Sequence, residues 1–342
     1  MAERMTIDRR TLLAAVTASA VTPVAQAQPQ SQPATAPSSP ALPAPPTPRL
    51  AQPETIALWP GPAPGSPPEP PPEPDLARVG RPGRKEYHLR GVAAPALFAY
   101  RPTVTPNGVA LIVMPGGGYS FLSVENEGSA VARRFAELGY TVFVLGYRLP
   151  GEGWTNRSDA PIQDAQRAIR LIRAGARGFG IDPARIGLLG FSAGGHLAAS
   201  LATGFDDTLY EAVDDADAKS ARPSFVGLLY PVTTLRPPEA HSGSHLNLLG
   251  PNPTPELVDR RSPLLHVSAA TPPCFLVHAL DDRTVDPSCT IDWLAACRAA
   301  GVPAEAHMIE RGGHGFGVHL AADNPGSRWP DMFRLWAARH GG

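Results

Sequence analysis

Neither sign of charge predominates in this chain: its 342 residues carry 30 Lys and Arg against 31 Asp and Glu, a formal net charge of −1. That balance lacks the basic footprint that draws a protein to nucleic acid or to an anionic membrane face, and it excludes both as first readings. No apolar run is long and unbroken enough to span a bilayer, so no membrane partner is expected once an export signal is removed. Cysteine is scarce and odd in number, with Cys274, Cys289 and Cys297 all late in the chain. The last two fall on one predicted helix, separated by roughly 12 Å of rise, which is beyond the span of a disulfide. Cys274 lies in an apolar strand and reads as a buried thiol, so no essential disulfide is expected. What the chain has in plenty is proline, 41 residues, and glycine, 33.

Much of that proline lies near the N-terminus, ahead of any regular pattern. Residues 1–27 read as an export signal, with Arg9 and Arg10 before a mild apolar stretch and Ala25-Gln26-Ala27 as the small-x-small cleavage pattern. Paired arginines before a weakly hydrophobic segment point to the twin-arginine route, with the general secretory route as the alternative. The mature protein is therefore expected outside the cytoplasm, periplasmic or secreted. Residues 28–54 read as a disordered linker, since eight prolines between 28 and 48 alternate with Gln, Ala, Ser and Thr. Such a segment cannot bury enough apolar surface to offset its ordering entropy. A single folded domain is expected over 55–342, with Trp59 packing an N-terminal strip onto it.

From residue 85 onward, buried apolar strands alternate with amphipathic helices. Strands are expected at Ala96–Arg101, Val109–Met114, Thr141–Gly146, Arg185–Leu189, Phe225–Tyr230, Cys274–Ala279 and Ala304–Ile309. The first two read as neighbours joined by the Pro106-Asn107-Gly108 turn. Ile162, Ala165, Ile169 and Ile172 mark the inner face of a helix whose outer face carries Arg167, Arg170 and Arg173. Residues 231–272 look irregular. The fold class is α/β, a mostly parallel central sheet with helices on both faces. In such sheets ligands bind beyond the carboxyl ends of the strands, here after Met114, Leu189, Ala279 and Ile309.

The chemistry-bearing motifs fall at those strand ends. Gly190-Phe191-Ser192-Ala193-Gly194 places a serine between glycines at a strand-to-helix turn. A random order of this composition would show G-x-S-x-G in about one chain in six, so the context of strand and small-residue helix carries the weight. Pro115-Gly116-Gly117-Gly118-Tyr119 follows another strand, and the N–H groups of Gly117, Gly118 and Ala193 would form an oxyanion hole. His314 sits in the glycine-rich run 311–317 past the last strand, where an imidazole can reach over the sheet edge as general base. Asp281 and Asp282 both follow the strand ending at Ala279, and position alone leaves either as the orienting acid. His196, four residues after Ser192, packs or hydrogen-bonds beneath the site. His307, His314 and His319 lack a carboxylate or cysteine partner at ligand spacing, so no metal is expected, and Gly116–Gly118 lacks the Lys-Ser/Thr of a phosphate loop. No cofactor is expected.

Together these segments resemble the α/β-hydrolase superfamily, and within it exported bacterial esterases similar to acetylxylan esterases and feruloyl-esterase-like proteins. The resemblance rests on Leu58-Trp59-Pro60-Gly61, Met114 through Tyr119, Glu125 through Gly128, Tyr147-Arg148-Leu149-Pro150, Asp164 through Arg170, Gly190 through His196, Val277-His278-Ala279 and Gly312 through Phe316. It implies an α/β-hydrolase fold and a Ser192–His314–Asp282 triad, since the acid of this branch lies three residues before a valine, here Val285. Tyr119, Glu127, Tyr147 and His196 are implied pocket residues, although Glu127 equally reads as a cap of the following helix. The implied activity is hydrolysis of short-chain, acetyl-type esters of a small molecule or plant carbohydrate. The alternatives are a prolyl-oligopeptidase-like peptidase and a catalytically inactive binding protein on the same fold.

Overall fold

Residues 53–69, 74–79 and 86–342 are described by a computed structural model, so the expected export signal and residues 28–52 of the expected linker lie outside the described residues. Glu54, read as the last linker residue, is instead the first residue of a strand, in register with Ala99. The chain runs through β1 (Glu54–Ala57), the antiparallel pair β2 (Asp75–Val79) and β3 (Glu86–Arg90), β4 (Ala96–Tyr100), β5 (Ala110–Met114) and the short β6 (Leu122–Ser123). Then come α1 (Ala130–Ala136), β7 (Thr141–Gly146), α2 (Ala160–Ala174), the single-turn α3 (Ala176–Phe179), β8 (Ile186–Phe191) and α4 (Ala193–Thr203). β9 (Val226–Leu229), α5 (Ser242–Leu249), α6 (Pro255–Arg260), β10 (Cys274–Ala279), α7 (Ser288–Ala299), β11 (Ala304–Ile309) and α8 (Trp329–Ala337) complete it.

Eight strands form the main sheet in the order β1-β4-β7-β5-β8-β9-β10-β11. From β7 to β11 the pairing is parallel, and β4 and β1 add an antiparallel edge. The expected β4–β5 hairpin does not form, because β7 lies between the two strands. All six residues of β7 are buried, so a central place suits it. The Pro106–Gly108 segment accordingly bonds toward β7 and not toward β4, with Asn107 N–H on the Gly139 carbonyl at 2.9 Å and Thr141 N–H on that of Val109 at 3.0 Å.

Side-chain alternation along the strands feeds two cores. Ile112, Phe143, Leu188, Val226 and Leu276 face one layer, where Ile169 of α2, Leu197 of α4 and Trp293 of α7 cover them. Leu111, Val113, Val142, Phe225 and Val277 face the other, under Val131 and Phe135 of α1 and Phe333 and Trp336 of α8. Helices thus cover both faces, and the carboxyl ends of the parallel strands meet along one rim. No helix among the described residues is long and apolar enough to cross a membrane. Cys274, Cys289 and Cys297 are buried free thiols.

Helix α2 corrects the sequence reading, because Arg167 is buried and not on a solvent face. Its Nε donates to the Leu58 carbonyl at 2.8 Å and its Nη1 to Asp214 at 2.7 Å, so the N-terminal strip at Leu58 and the segment at Asp214 cover what looked like an exposed side. Asp164 and Arg148, which belong to the motifs carrying the family resemblance, serve the same joint. Asp164 accepts from Trp59 Nε1 at 2.8 Å, from Arg148 N–H at 2.9 Å and from Arg148 Nε at 3.0 Å, with both side chains fully buried. Removing the acid would leave a buried guanidinium without its counter-charge and an indole N–H without its acceptor. Asp164→Ala is expected to cost about 3–5 kcal/mol of stability, read as a lowered midpoint in urea. A midpoint unchanged from the parent would contradict the role assigned to this pair.

The stretch 231–272 is less irregular than the sequence suggested, since it holds α5 and α6. Both are short, and only Ser244, Leu248 and Leu249 of α5 and Val258 of α6 are buried, which leaves little periodicity to detect.

Candidate active site

Three loops at the rim bring Ser192, His314 and Asp282 together. Strand β8 ends in Phe191, and Ser192 takes φ +52°, ψ −118°, a conformation that aims its side chain away from the sheet. Such a turn needs glycine neighbours for close approach, not for their own dihedrals. A Cβ on Gly194 would collide with the Met114 carbonyl, and one on Gly190 would lie 2.7 Å from Ala198 Cβ. Ser192 Oγ meets His314 Nε2 at 2.8 Å, and His314 Nδ1 meets Asp282 Oδ2 at 2.7 Å. An ionised carboxylate only accepts, so Nδ1 carries the proton and Nε2 accepts from the serine hydroxyl.

The choice between the adjacent aspartates is decided by geometry. Asp282 Oδ1 accepts the N–H groups of Thr284 at 2.8 Å and Val285 at 3.0 Å, which turns Oδ2 toward His314. Asp281 instead holds the histidine loop from outside, accepting Gly312 N–H and Gly313 N–H at 2.8 Å each. Burial pushes the Asp282 carboxyl up, but the hydrogen bonds of His278 and His314 and the His314 charge outweigh it. The group is held well below the usual carboxylate range.

His278 was not among the expected site residues. Its Nε2 lies 3.2 Å from both Asp282 Oδ2 and the Val285 carbonyl, and its Nδ1 lies 2.7 Å from Thr290 Oγ1. Two acceptors face Nε2, so that nitrogen donates, and the ring supports the acid from below. The signal in the sequence is a polar residue inside the otherwise apolar β10, four residues before the acid.

Gly117 and Gly118 line the cleft above Ser192, with φ of +131° and +59°. Ala193 is the first residue of α4 and fully buried, its N–H at the helix N-terminus beside Ser192. Gly116 N–H is engaged by Glu127 Oε2 at 2.8 Å. Glu127 lies on a π-helical turn and does not cap α1, whose N-cap is Ser129. Of the two readings of this residue, the structure supports the cleft. Its Oε1 accepts from Tyr230 OH at 2.9 Å, and the same hydroxyl accepts Gly317 N–H at 3.0 Å. One buried carboxylate therefore ties the glycine loop to the histidine loop. Burial raises its pKa against the opposing pull of the His314 charge and of those hydrogen bonds.

The other three expected pocket residues do not line the cleft. Tyr147 OH donates to the Pro115 carbonyl at 2.7 Å, and Tyr119 OH meets His196 Nδ1 at 2.7 Å, all three side chains being buried. Each faces inward to a buried polar partner that water does not reach, and for Tyr147 that partner is a backbone carbonyl of the glycine loop. His196 Nε2 lies 2.8 Å from the Arg261 carbonyl, an acceptor, so Nε2 carries the proton and Nδ1 accepts from Tyr119. Burial pulls His196 down to about 4. A histidine with a depressed folded-state value stabilises the fold above its unfolded value of about 6.5 and loses that contribution as pH falls toward the folded value. The loss over that window is about 3 kcal/mol. His196→Gln should be less stable at neutral pH but lose less further stability between pH 7 and 4.5 than the parent. Parallel losses in urea melts at both pH values would reject this assignment.

The cleft measures about 780 Å³, with Ser192 and His314 opening into it. Glu86, Ser120, Asn126, His241, Asn247 and Thr284 contribute polar lining, and Phe121 is its large apolar wall. His88 stacks on Phe121 with ring centroids 3.7 Å apart, so β3 builds one side of the mouth. His241, which stands in no motif of the sequence analysis, is among the lining residues. Among the described residues no cluster of three His, Cys, Asp or Glu could hold a metal ion.

A mostly parallel sheet with a strained serine elbow, an acid loop and a histidine loop at its carboxyl rim defines an α/β-hydrolase. Comparison with known proteins narrows the class: the chain belongs to the BD-FAE family, whose model matches residues 99–295. It is 35% identical over 224 residues to endo-1,4-beta-xylanase B of Butyrivibrio fibrisolvens, covering 66% of this chain and 35% of that protein. It is 36% identical over 217 residues to an acetylxylan esterase of Xylanibacter ruminicola, covering 62% of this chain and 42% of that protein. The chain thus spans less than half the length of these curated relatives. Among solved structures it resembles the acetyl ester-xyloside bifunctional hydrolase of Caldicellulosiruptor lactoaceticus, with a TM-score of 0.71 and 33% identity over 86% of this chain and 99% of that one.

Proposed function

We propose that this protein is a serine carboxylic ester hydrolase that removes short acyl groups, acetyl above all, from plant oligosaccharide or polysaccharide outside the cytoplasm. The observation that carries the reading is the continuous line from Ser192 Oγ through His314 to Asp282, with steps of 2.8 and 2.7 Å. Ser192 Oγ attacks the ester carbonyl carbon while His314 Nε2 takes its proton, and Asp282 stabilises the resulting imidazolium. The oxyanion is met by N–H groups of Gly117, Gly118 and Ala193, each such donor lowering the barrier by about 3 kcal/mol. Collapse of the intermediate breaks the bond to the alcohol, which receives the proton from His314 and leaves an acyl-serine. Water, deprotonated by His314, then attacks that ester, and the carboxylic acid departs as Ser192 regains its proton.

The substrate class rests on the cleft. Hydroxyl, amide, carboxylate and imidazole groups around the serine suit a polyhydroxylated alcohol better than a long acyl chain, whose apolar surface they would leave unburied. The names of two relatives, an acetylxylan esterase and an acetyl ester-xyloside hydrolase, point the same way. Export follows the Arg9-Arg10 signal and would be lost from the periplasmic fraction on replacing both arginines by lysine. The activity is tested with p-nitrophenyl esters of rising chain length, acetylated xylan with free acetate as readout, and a peptide p-nitroanilide. Acetyl esters should be turned over fastest and acetate released from xylan. Faster turnover of long-chain esters or of the anilide would overturn the reading.

A further inference from the structure

Helix α5 carries a second group aimed at the reacting centre. His241 is its N-cap, and the ring nitrogen Nδ1 accepts Ser244 N–H at 3.1 Å and lies 2.9 Å from Ser244 Oγ. A backbone N–H only donates, so Nδ1 holds a lone pair and the neutral ring carries its proton on Nε2. The ring lines the cleft with Ser192 and His314, its Cε1 only 3.6 Å from where a Cβ on Gly118 would stand. Further along the same helix, Asn247 Nδ2 donates to the Gly118 carbonyl at 2.8 Å, which locks α5 to the glycine loop. Burial and the nearby His314 charge lower the pKa of His241 while Asp282 opposes them, so the neutral, single-proton form is favoured.

Among the described residues no hydrogen bond engages His241 Nε2, so a ring that lines the cleft keeps a donor without a protein acceptor. We propose that His241 contacts the substrate, its Nε2–H donating to a hydroxyl or ring oxygen of the alcohol part of the ester. This rests on the esterase reading given above. An acetyl group has a single oxygen in its acyl part, the carbonyl, and backbone N–H groups take that one. The next acceptor within the cleft therefore belongs to the alcohol, and a sugar supplies several. A site whose donor is built to meet a substrate oxygen discriminates against alcohols that lack the matching atom, because the donor is then left unpaired, so the residue sets preference among alcohols.

His241→Asn separates this role from that of the helix cap, because asparagine is itself a favoured N-cap and keeps an acceptor for Ser244 N–H. His241→Ser is a second variant of the same kind. Wild type and variants are compared on an acetylated xylo-oligosaccharide and on p-nitrophenyl acetate, whose alcohol has no hydroxyl to accept. The expected result is a fall in kcat/KM for the sugar ester about tenfold larger than the fall for p-nitrophenyl acetate, expressed mainly in KM. Equal losses on both esters, or none on the sugar ester, would overturn the proposal while leaving the esterase reading intact. A wild-type protein that cleaves neither ester would overturn both.

Discussion

Replacing Ser192 by alanine is expected to lower kcat on p-nitrophenyl acetate by about 10⁵- to 10⁶-fold, close to the loss of the whole triad, because the three side chains act as one unit. The residual rate would come from the N–H groups of the glycine loop and from binding alone. Little else should change. The Ser192 backbone N–H bonds to the Leu229 carbonyl at 3.0 Å and its carbonyl accepts His196 N–H at 3.0 Å, and alanine retains both. Alanine carries the same Cβ, so the strain at φ +52° is unchanged, and the side-chain partner lost is His314. Burst kinetics on the parent and their absence in the variant would check the acyl-serine directly. A variant that keeps more than about a hundredth of parental activity would place the nucleophile elsewhere.

Asp282→Asn should cost about 10⁴-fold in kcat with the fold intact. The reason lies in which oxygen is already engaged. Oδ1 accepts from the N–H groups of both Thr284 and Val285, so the asparagine carbonyl must stay there and its NH₂ must point at His314. A donor now faces Nδ1, which forces the proton onto Nε2 and leaves no acceptor for the serine hydroxyl. His278 Nε2, which also donates toward the acid, loses its charged partner in the same step. A neighbouring control is Asp281→Asn, which removes no bond to His314 and touches only Gly312 and Gly313 through an exposed carboxylate. Its kcat should fall far less. Comparable losses for the two variants would mean that position in the loop, not the hydrogen bond to the imidazole, is what matters.

The parts of the site that could be read beforehand are those whose chemistry is local in the chain. The elbow around Ser192, the glycine loop and the histidine loop each combine a strand end with a few glycines, and the structure brings all three to one rim. Glu127, Tyr147 and His196 stood in motifs too, yet motif membership did not say which way a side chain turns. Tyr147 faces the Pro115 carbonyl and His196 the Arg261 carbonyl, contacts across 32 and 65 residues of chain. Arg167 looked solvated because the strip that covers it, around Leu58, is 109 residues away. The β4–β5 hairpin failed for a related reason: a turn signal reports that the chain reverses, while the strand that fills the gap comes from later in the sequence.

The sequence alone determined the alternation of buried strands and amphipathic helices, hence a covered parallel sheet, and the residue types able to run acyl transfer at its strand ends. Those follow from periodicity and from glycine's steric freedom, which act over a few residues. Tertiary structure alone decided which oxygen of Asp282 meets the imidazole, that His278 steadies that acid, that Glu127 ties two loops, and that α5 turns His241 into the cleft. Each of these is a choice of direction made by the burial of polar groups against partners distant in the chain, and no short-range pattern records it.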